Sequence, residues 1–176
     1  RKLSDFGAGI GNHGGVWECP DLLPMVVEGS GETKWVLLQS INPGHPNGGS
    51  GTQYFVGDFD GTTFALDPRF ATDVRDGNGI WLDEGRDNYA GVTWANAPDG
   101  RTVFVGWMSN WAYAQQVPTA AWRSAMTVPR DLVLQLTPRG YRLASRPVPE
   151  LSSLRTEARN LASGALDGRR DLIAPT

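Results

Sequence analysis

Apolar residues in this chain come in short runs rich in strand formers, each closed by turn residues. Lys34 to Ile41 (KWVLLQSI) ends at Asn42, Pro43 and Gly44, which cannot continue a ladder, so a strand followed by a loop is expected. Thr52 to Leu66 (TQYFVGDFDGTTFAL) sets Asp60-Gly61 between two apolar-aromatic arms, a strong short-range hairpin signal. The same grammar returns where Gly91 to Ala95 and Thr102 to Met108 flank Pro98, Asp99 and Gly100. It returns again in DLVLQLTPRGYRLAS, around Pro138 to Gly140.

Before Arg146 no stretch sustains a 3.6-residue apolar period with caps, so helix content should be low. Leu151, Leu154 and Leu161, within Glu150 to Leu161, fit either a helical stripe or a linker. The expected fold is all-β: many short strands with regular turn signals indicate a sandwich, a barrel or a propeller. A propeller blade takes roughly 40–50 residues, so Arg1 to Ser145 would supply about three blades of an incomplete ring. The chain opens at Arg1 without a Met and stops at Thr176 without a terminal element, and is read as part of a longer enzyme.

Composition narrows the classes. A hydrophobic share of 40% with 20% charged residues is that of a folded soluble domain rather than a disordered chain. The net charge is −3, and the basic residues are scattered, so no cationic stripe for nucleic acid is present. The best apolar run, Leu22 to Val27, is interrupted by Pro24 and far too short for a membrane span. The single Cys19 excludes an intrachain disulfide and a multi-cysteine zinc site; with only His13 and His45 as histidines, no metal site is expected. The 22 glycines and 12 prolines imply many turns, and seven tryptophans imply flat apolar surfaces kept for a ligand.

The segment NHGGVWECPDLLPM, Asn12 to Met25, carries the most chemistry. Glu18 lies between Trp17 and Cys19-Pro20, beside a glycine pair that allows close backbone approach. A carboxyl partly dried against an indole has its charged form disfavoured and can hold a proton near neutral pH, as a general acid must. The plainer alternative is an exposed glutamate on a strand edge. Cys19 with His13 as base would be a nucleophilic pair, but no orienting Asn or Asp is evident; a buried structural cysteine is the better reading.

GVWECPDL, Gly15 to Leu22, closely resembles the acid/base motif of glycoside hydrolase family 32, the fructan hydrolases and invertases. YFVGDFDGTTF (Tyr54 to Phe64), LDEGRDNYA (Leu82 to Ala90) and the stretch from Gly106 to Gln135 resemble the same family, in its order. The resemblance runs from Gly14 to about Leu154 and is strongest with exo-acting members. It implies the later blades of a five-bladed β-propeller over residues 1–145. Residues 146–176 would be a linker and the beginning of a C-terminal β-sandwich.

The resemblance implies release of terminal β-linked fructose from levan, inulin or sucrose with retention, an Asp attacking the anomeric carbon while a Glu protonates the leaving oxygen. Glu18 matches that Glu. Trp111, in SNWAY, matches the tryptophan lining the fructose subsite, the alternative being a core residue between blades. Asp60, in GDFDG, matches a position that can bond the sugar beyond the scissile linkage, but Asp-Gly is also a plain turn. No cofactor or metal is implied, and polymeric fructan as substrate points to secretion.

The family's Asn-Asp-Pro-Asn-Gly nucleophile motif and its Arg-Asp-Pro motif do not occur in the chain. Its only Asp-Pro, Asp67-Pro68, lies downstream of Glu18 and fits neither. The chain alone is therefore expected to be inactive, and an unclosed ring to self-associate or to need the missing blades. A rival from another class is a non-catalytic propeller that binds carbohydrate or protein. Asp83, Asp87 and Tyr89 are expected to hold a loop, with a subsite role secondary, and Arg123 to need a carboxylate or carbonyl partner. Trp35, Trp81 and Trp94 are assigned to packing.

Overall fold

The computed structural model describes residues 1–75, 77–156, 164, 165, 167 and 168. Two four-stranded antiparallel sheets lie side by side. The first runs in the order β1 (Val16–Val26), β2 (Thr33–Asn42), β3 (Gly51–Phe59) and β4 (Phe64–Leu66). The second consists of β5 (Tyr89–Thr93), β6 (Thr102–Trp107), β7 (Arg130–Thr137) and β8 (Gly140–Pro147). Each is an up-and-down meander, the unit from which propellers are assembled. The all-β expectation and the hairpins around Asp60-Gly61, Pro98 to Gly100 and Pro138 to Gly140 are found as read.

Length division expected about three such units, but two lie among the described residues. The difference is taken up by residues 1–15 and by the connections 67–88 and 108–129, which add no strand to either sheet. Among the described residues helix is confined to α1 (Pro68–Ala71) and short 3-10 segments. One of these, Pro149–Leu154, leaves Leu154 exposed, so Leu151 and Leu154 form no buried helical stripe; Leu161 lies outside the described residues. Strand β8 ends at Pro147, just past the boundary expected after residue 145, and most of the segment 146–176 assigned to a linker and sandwich also lies outside the description.

Every residue of β3 from Gly51 to Gly57 is buried, which explains why TQYFVG shows no apolar-polar alternation: both faces are covered. One core cluster joins the sheets, with Val36, Leu38, Phe55 and Val56 from the first and Phe104, Leu132, Leu134 and Tyr141 from the second. The backbone of Glu28 donates to the Leu134 carbonyl at 2.8 Å, and Leu143 N–H donates to the Tyr54 hydroxyl at 3.1 Å, so polar contacts stitch the same seam.

At one end of β2 lies a charge cluster. The buried Lys34 ammonium sits 2.9 Å from Asp67 and 3.0 Å from Asp58, and Arg69 pairs with Asp67 at 3.1 Å while lying over the Tyr141 ring. Asp67 also caps α1 by accepting from Arg69 N–H at 2.8 Å, so the only Asp-Pro of the chain is committed to structure. Burial works to raise the Asp67 pKa, but the bonds from Arg69 and Lys34 outweigh it and hold the carboxyl at about 2, below its ordinary 3.8. A group whose folded pKa is depressed stabilises fully above its unfolded value and stops doing so as pH falls through the folded one. The contribution, about 2 kcal/mol, is thus present above pH 4 and vanishes towards pH 2. Thermal melts between pH 4 and 2 should lose less Tm in Asp67→Asn than in the parent chain; equal losses would remove Asp67 from acid unfolding.

Candidate active site

Glu18 stands near the start of β1, opposite Ser40 of β2, which in turn faces Thr52 of β3. The turn before it is fixed by Gln53, wholly buried, which binds both backbone polar groups of Asn12, at 2.9 and 3.1 Å. The Trp17 indole donates to the Asn12 carbonyl at 2.7 Å and stacks on the His13 ring. A Cβ at Gly15 would collide with the Pro43 carbonyl, so the close approach expected of the glycine pair occurs there. The backbone carbonyl of Glu18 accepts from the buried Gln39 side chain at 2.6 Å.

Past Glu18 the ladder slips: Glu18 pairs with Ser40 and Asp21 with Leu38, so β1 carries one residue more than β2 and Cys19 takes φ 50°. This is a β-bulge, a device that re-aims a side chain. Strand β5 repeats it, for Tyr89 pairs with Trp107 and Val92 with Val105, and Ala90 also takes φ 50°. The buried Tyr89 donates its hydroxyl to Oε2 of Glu18. Burial, reinforced by the carboxylate beside it, pushes the Tyr89 pKa up, so this phenol remains a donor throughout the physiological range.

From Tyr89 an aromatic wall continues. Its ring lies 6.3 Å from Trp107, and Trp107 lies 5.0 Å from Trp111, whose indole is half-exposed at 47%. Trp111 is placed by its neighbour Asn110, which is fully buried: Nδ2 reaches the carbonyls of Gly48, Ser50 and Arg86, and Oδ1 accepts from the N–H groups of Ser50 and Ala112. Trp111 N–H donates to Ser50 Oγ at 3.2 Å. Below this, buried His45 accepts from Asn47 N–H at Nδ1 and donates from Nε2 to the Asp83 carbonyl, closing the loop that carries Gly48 and Ser50.

Other expectations are sorted by the same geometry. Asp60 accepts at Oδ1 from Thr62 N–H at 2.8 Å and Thr63 N–H at 2.7 Å, the Asx turn of the β3–β4 hairpin. Those two backbone donors lower its pKa. Thr52 is level with Glu18, and Asp60 lies eight residues further along, roughly 26 Å at strand rise, so it is not brought to Glu18. Two readings are corrected. Glu18 is exposed and gains its environment from Tyr89 rather than from drying against Trp17; adjacent strand residues face opposite sides of a sheet. Cys19 is exposed, not buried, because the bulge turns it outward, and His13 is engaged with the carbonyls of Gly7 and Ile10.

Asp83 holds its loop as expected, accepting from Gly85 N–H at 2.6 Å and Arg130 at 2.7 Å. Burial opposes its charge, but these donors win and its pKa falls. Asp87 accepts from Tyr113, and Arg123 finds a carbonyl, that of Gln115. Trp35 packs edge-on to Phe59 and Trp81 to His45, whereas Trp94 is exposed, contrary to its packing assignment: it follows the end of β5 and sits over a shallow apolar crevice. Tyr89, expected to hold a loop with a subsite role secondary, instead opens β5 and reaches Glu18, 71 positions away; nothing in its local sequence signals that contact between sheets.

A carboxyl bonded by a phenol thus stands at one end of a line of aromatic rings that ends at an exposed indole. Residues 1–147 match the description of the glycosyl hydrolases family 32 N-terminal domain, and the chain belongs to that family. It is 48% identical over 155 residues to the levanase of Bacillus subtilis (strain 168), covering 86% of the chain and 22% of that protein. It is 44% identical over 158 residues to the extracellular exo-inulinase inuE of Aspergillus niger, covering 88% and 29%. Among solved structures, an exo-inulinase from Aspergillus awamori superposes with a TM-score of 0.78 at 42% identity, covering 86% of this chain and 29% of that one. A fructofuranosidase from Schwanniomyces occidentalis complexed with fructose gives a TM-score of 0.68 at 36% identity, covering 84% and 28%. The chain thus spans less than a third of the length of these relatives.

Proposed function

We propose that these residues supply the acid/base and the sugar platform of an enzyme that releases terminal β-linked fructose from levan, inulin or sucrose. The observation that carries the reading is the unbroken line from Glu18 through Tyr89 and Trp107 to the half-exposed Trp111. In the retaining route Glu18 protonates the departing glycosidic oxygen while a carboxylate attacks the anomeric carbon. Glu18 then takes a proton from water, which displaces that carboxylate and restores the original configuration. The Tyr89 hydroxyl fixes Oε2, leaving Oε1 of Glu18 to face the reacting oxygen. The route uses carboxylates alone and needs no metal or organic cofactor.

The attacking carboxylate is placed outside these 176 residues, since neither Asn-Asp-Pro-Asn-Gly nor Arg-Asp-Pro occurs in them, and Asp67 is occupied by Lys34 and Arg69. The two sheets are read as later blades of a five-bladed ring and residues 146–176 as the lead into a β-sandwich, the isolated chain being inactive. Secretion is favoured by polymeric fructan as substrate and by relatives whose names call them extracellular.

The test is release of free fructose from levan, inulin and sucrose by the intact protein that carries this chain. Binding of fructan with no fructose released would overturn the reading in favour of a non-catalytic carbohydrate-binding propeller. In the active protein, Trp111→Ala should raise KM and lower kcat/KM about tenfold, the order expected for losing one aromatic stacking contact worth ~1.5 kcal/mol. An unchanged KM would remove Trp111 from the sugar subsite.

A further inference from the structure

We propose that Asp21 is a positioning residue for the acid/base, setting through Thr93 the alignment of β1 against β5 that brings the Tyr89 hydroxyl to Glu18. The inference rests on the reading of Glu18 given above. Asp21 Oδ2 accepts from both polar groups of Thr93, the backbone N–H at 2.8 Å and the hydroxyl at 2.6 Å. Asp21 is three residues beyond Glu18 and Thr93 four beyond Tyr89, so the two strands are joined at two corners: Glu18 with Tyr89, and Asp21 with Thr93.

Between the corners each strand carries its bulge, at Cys19 in β1 and at Ala90 in β5, and both residues take a left-handed φ of 50° without being glycine. Such backbone persists only where surrounding contacts over-determine it. On β1 those contacts are Gln39 on the Glu18 carbonyl and the Asp21–Thr93 pair; on β5 they are the two links to β1. A bulge aims a side chain only as accurately as its two flanks are held. With Asp21 released, β5 loses the contact that fixes where Tyr89 stands along β1, and Glu18 loses its orientation while the residue itself remains.

The chemistry offers a readout that plain destabilisation does not move. An aryl β-fructofuranoside has a leaving group stable enough to depart without a proton, whereas sucrose needs the acid. In the intact protein, Asp21→Ala and Thr93→Val should lower kcat/KM on sucrose about 10–100-fold, the scale of a small misplacement of a reacting group. On the aryl substrate they should change it less than about threefold, and Thr93→Ser, which keeps the hydroxyl, should restore most of the sucrose activity. Equal losses on both substrates, or no loss, would overturn the inference. Glu18→Gln measured alongside separates the two ideas. If it leaves sucrose turnover intact, the acid/base assignment itself fails. If it selectively loses sucrose and the Asp21 and Thr93 variants do not, only the role of Asp21 fails. Should Asp21→Ala not fold, the Thr93→Val and Thr93→Ser pair decides.

Discussion

Replacing Glu18 by Gln in the intact protein should lower fructose release from levan or inulin by about 10²–10⁴-fold, because general acid–base catalysis contributes that much to comparable reactions. The substitution is nearly isosteric, and Glu18 is exposed with one side-chain bond, from Tyr89, which a glutamine carbonyl can accept equally well. Stability should therefore change by less than about 0.5 kcal/mol, the range of ordinary surface substitutions. Loss of rate with an unchanged melting temperature is the diagnostic pair. Initial rates of reducing-sugar release and a thermal melt on the same sample give both numbers, and a variant that releases fructose at the parent rate would dismiss Glu18 from the reaction.

Asn110→Ala should have the second large effect, on stability and on Trp111 together. Two amide protons serve three carbonyls, those of Gly48, Ser50 and Arg86, while Oδ1 takes two backbone N–H groups, and no part of the residue is exposed. Truncation strands the buried N–H and carbonyl of Ser50 at ~1–3 kcal/mol each, about 3 kcal/mol in all, which for a folding unit of about 150–250 residues is roughly 6–12 °C in Tm. The void cannot be filled from the other side by a larger side chain at position 49. Gly49 has φ 71°, a conformation that strains any other side chain, and a Cβ there would lie only 3.0 Å from the Ala112 Cβ. Calorimetry on Asn110→Ala, with KM for sucrose measured on the intact protein below its transition, checks both halves; a shift under about 2 °C would show that the amide holds nothing.

Local chemistry made the hairpins legible, because Asp60-Gly61 and Pro138 to Gly140 act within a few residues and compete with nothing distant. Glu18 and Trp111 could be singled out from their motifs. Their union could not, since it runs through Tyr89, which its context assigns to a loop, and Trp107, which reads only as strand. The bulges were hidden for a related reason: one extra residue in β1 or β5 is defined by what the partner strand lacks. Cys19 was misplaced by the same blind spot, a lone cysteine reading as interior until the bulge turns it out. The unit count was overestimated because the long connections 67–88 and 108–129 spend length on loops. Asp60 illustrates the converse: a motif match drew attention to a side chain that its own turn already occupies.

The Lys34 charge cluster and Glu18 occupy opposite ends of the same pair of strands. Ser40, level with Glu18, is six residues from Lys34, roughly 20 Å of strand. Substitutions that far apart with no shared partner add independently. Heat tolerance can therefore be engineered around Lys34, Asp58 and Arg69 without the usual sacrifice of turnover, which makes that corner the place to begin a thermostable variant.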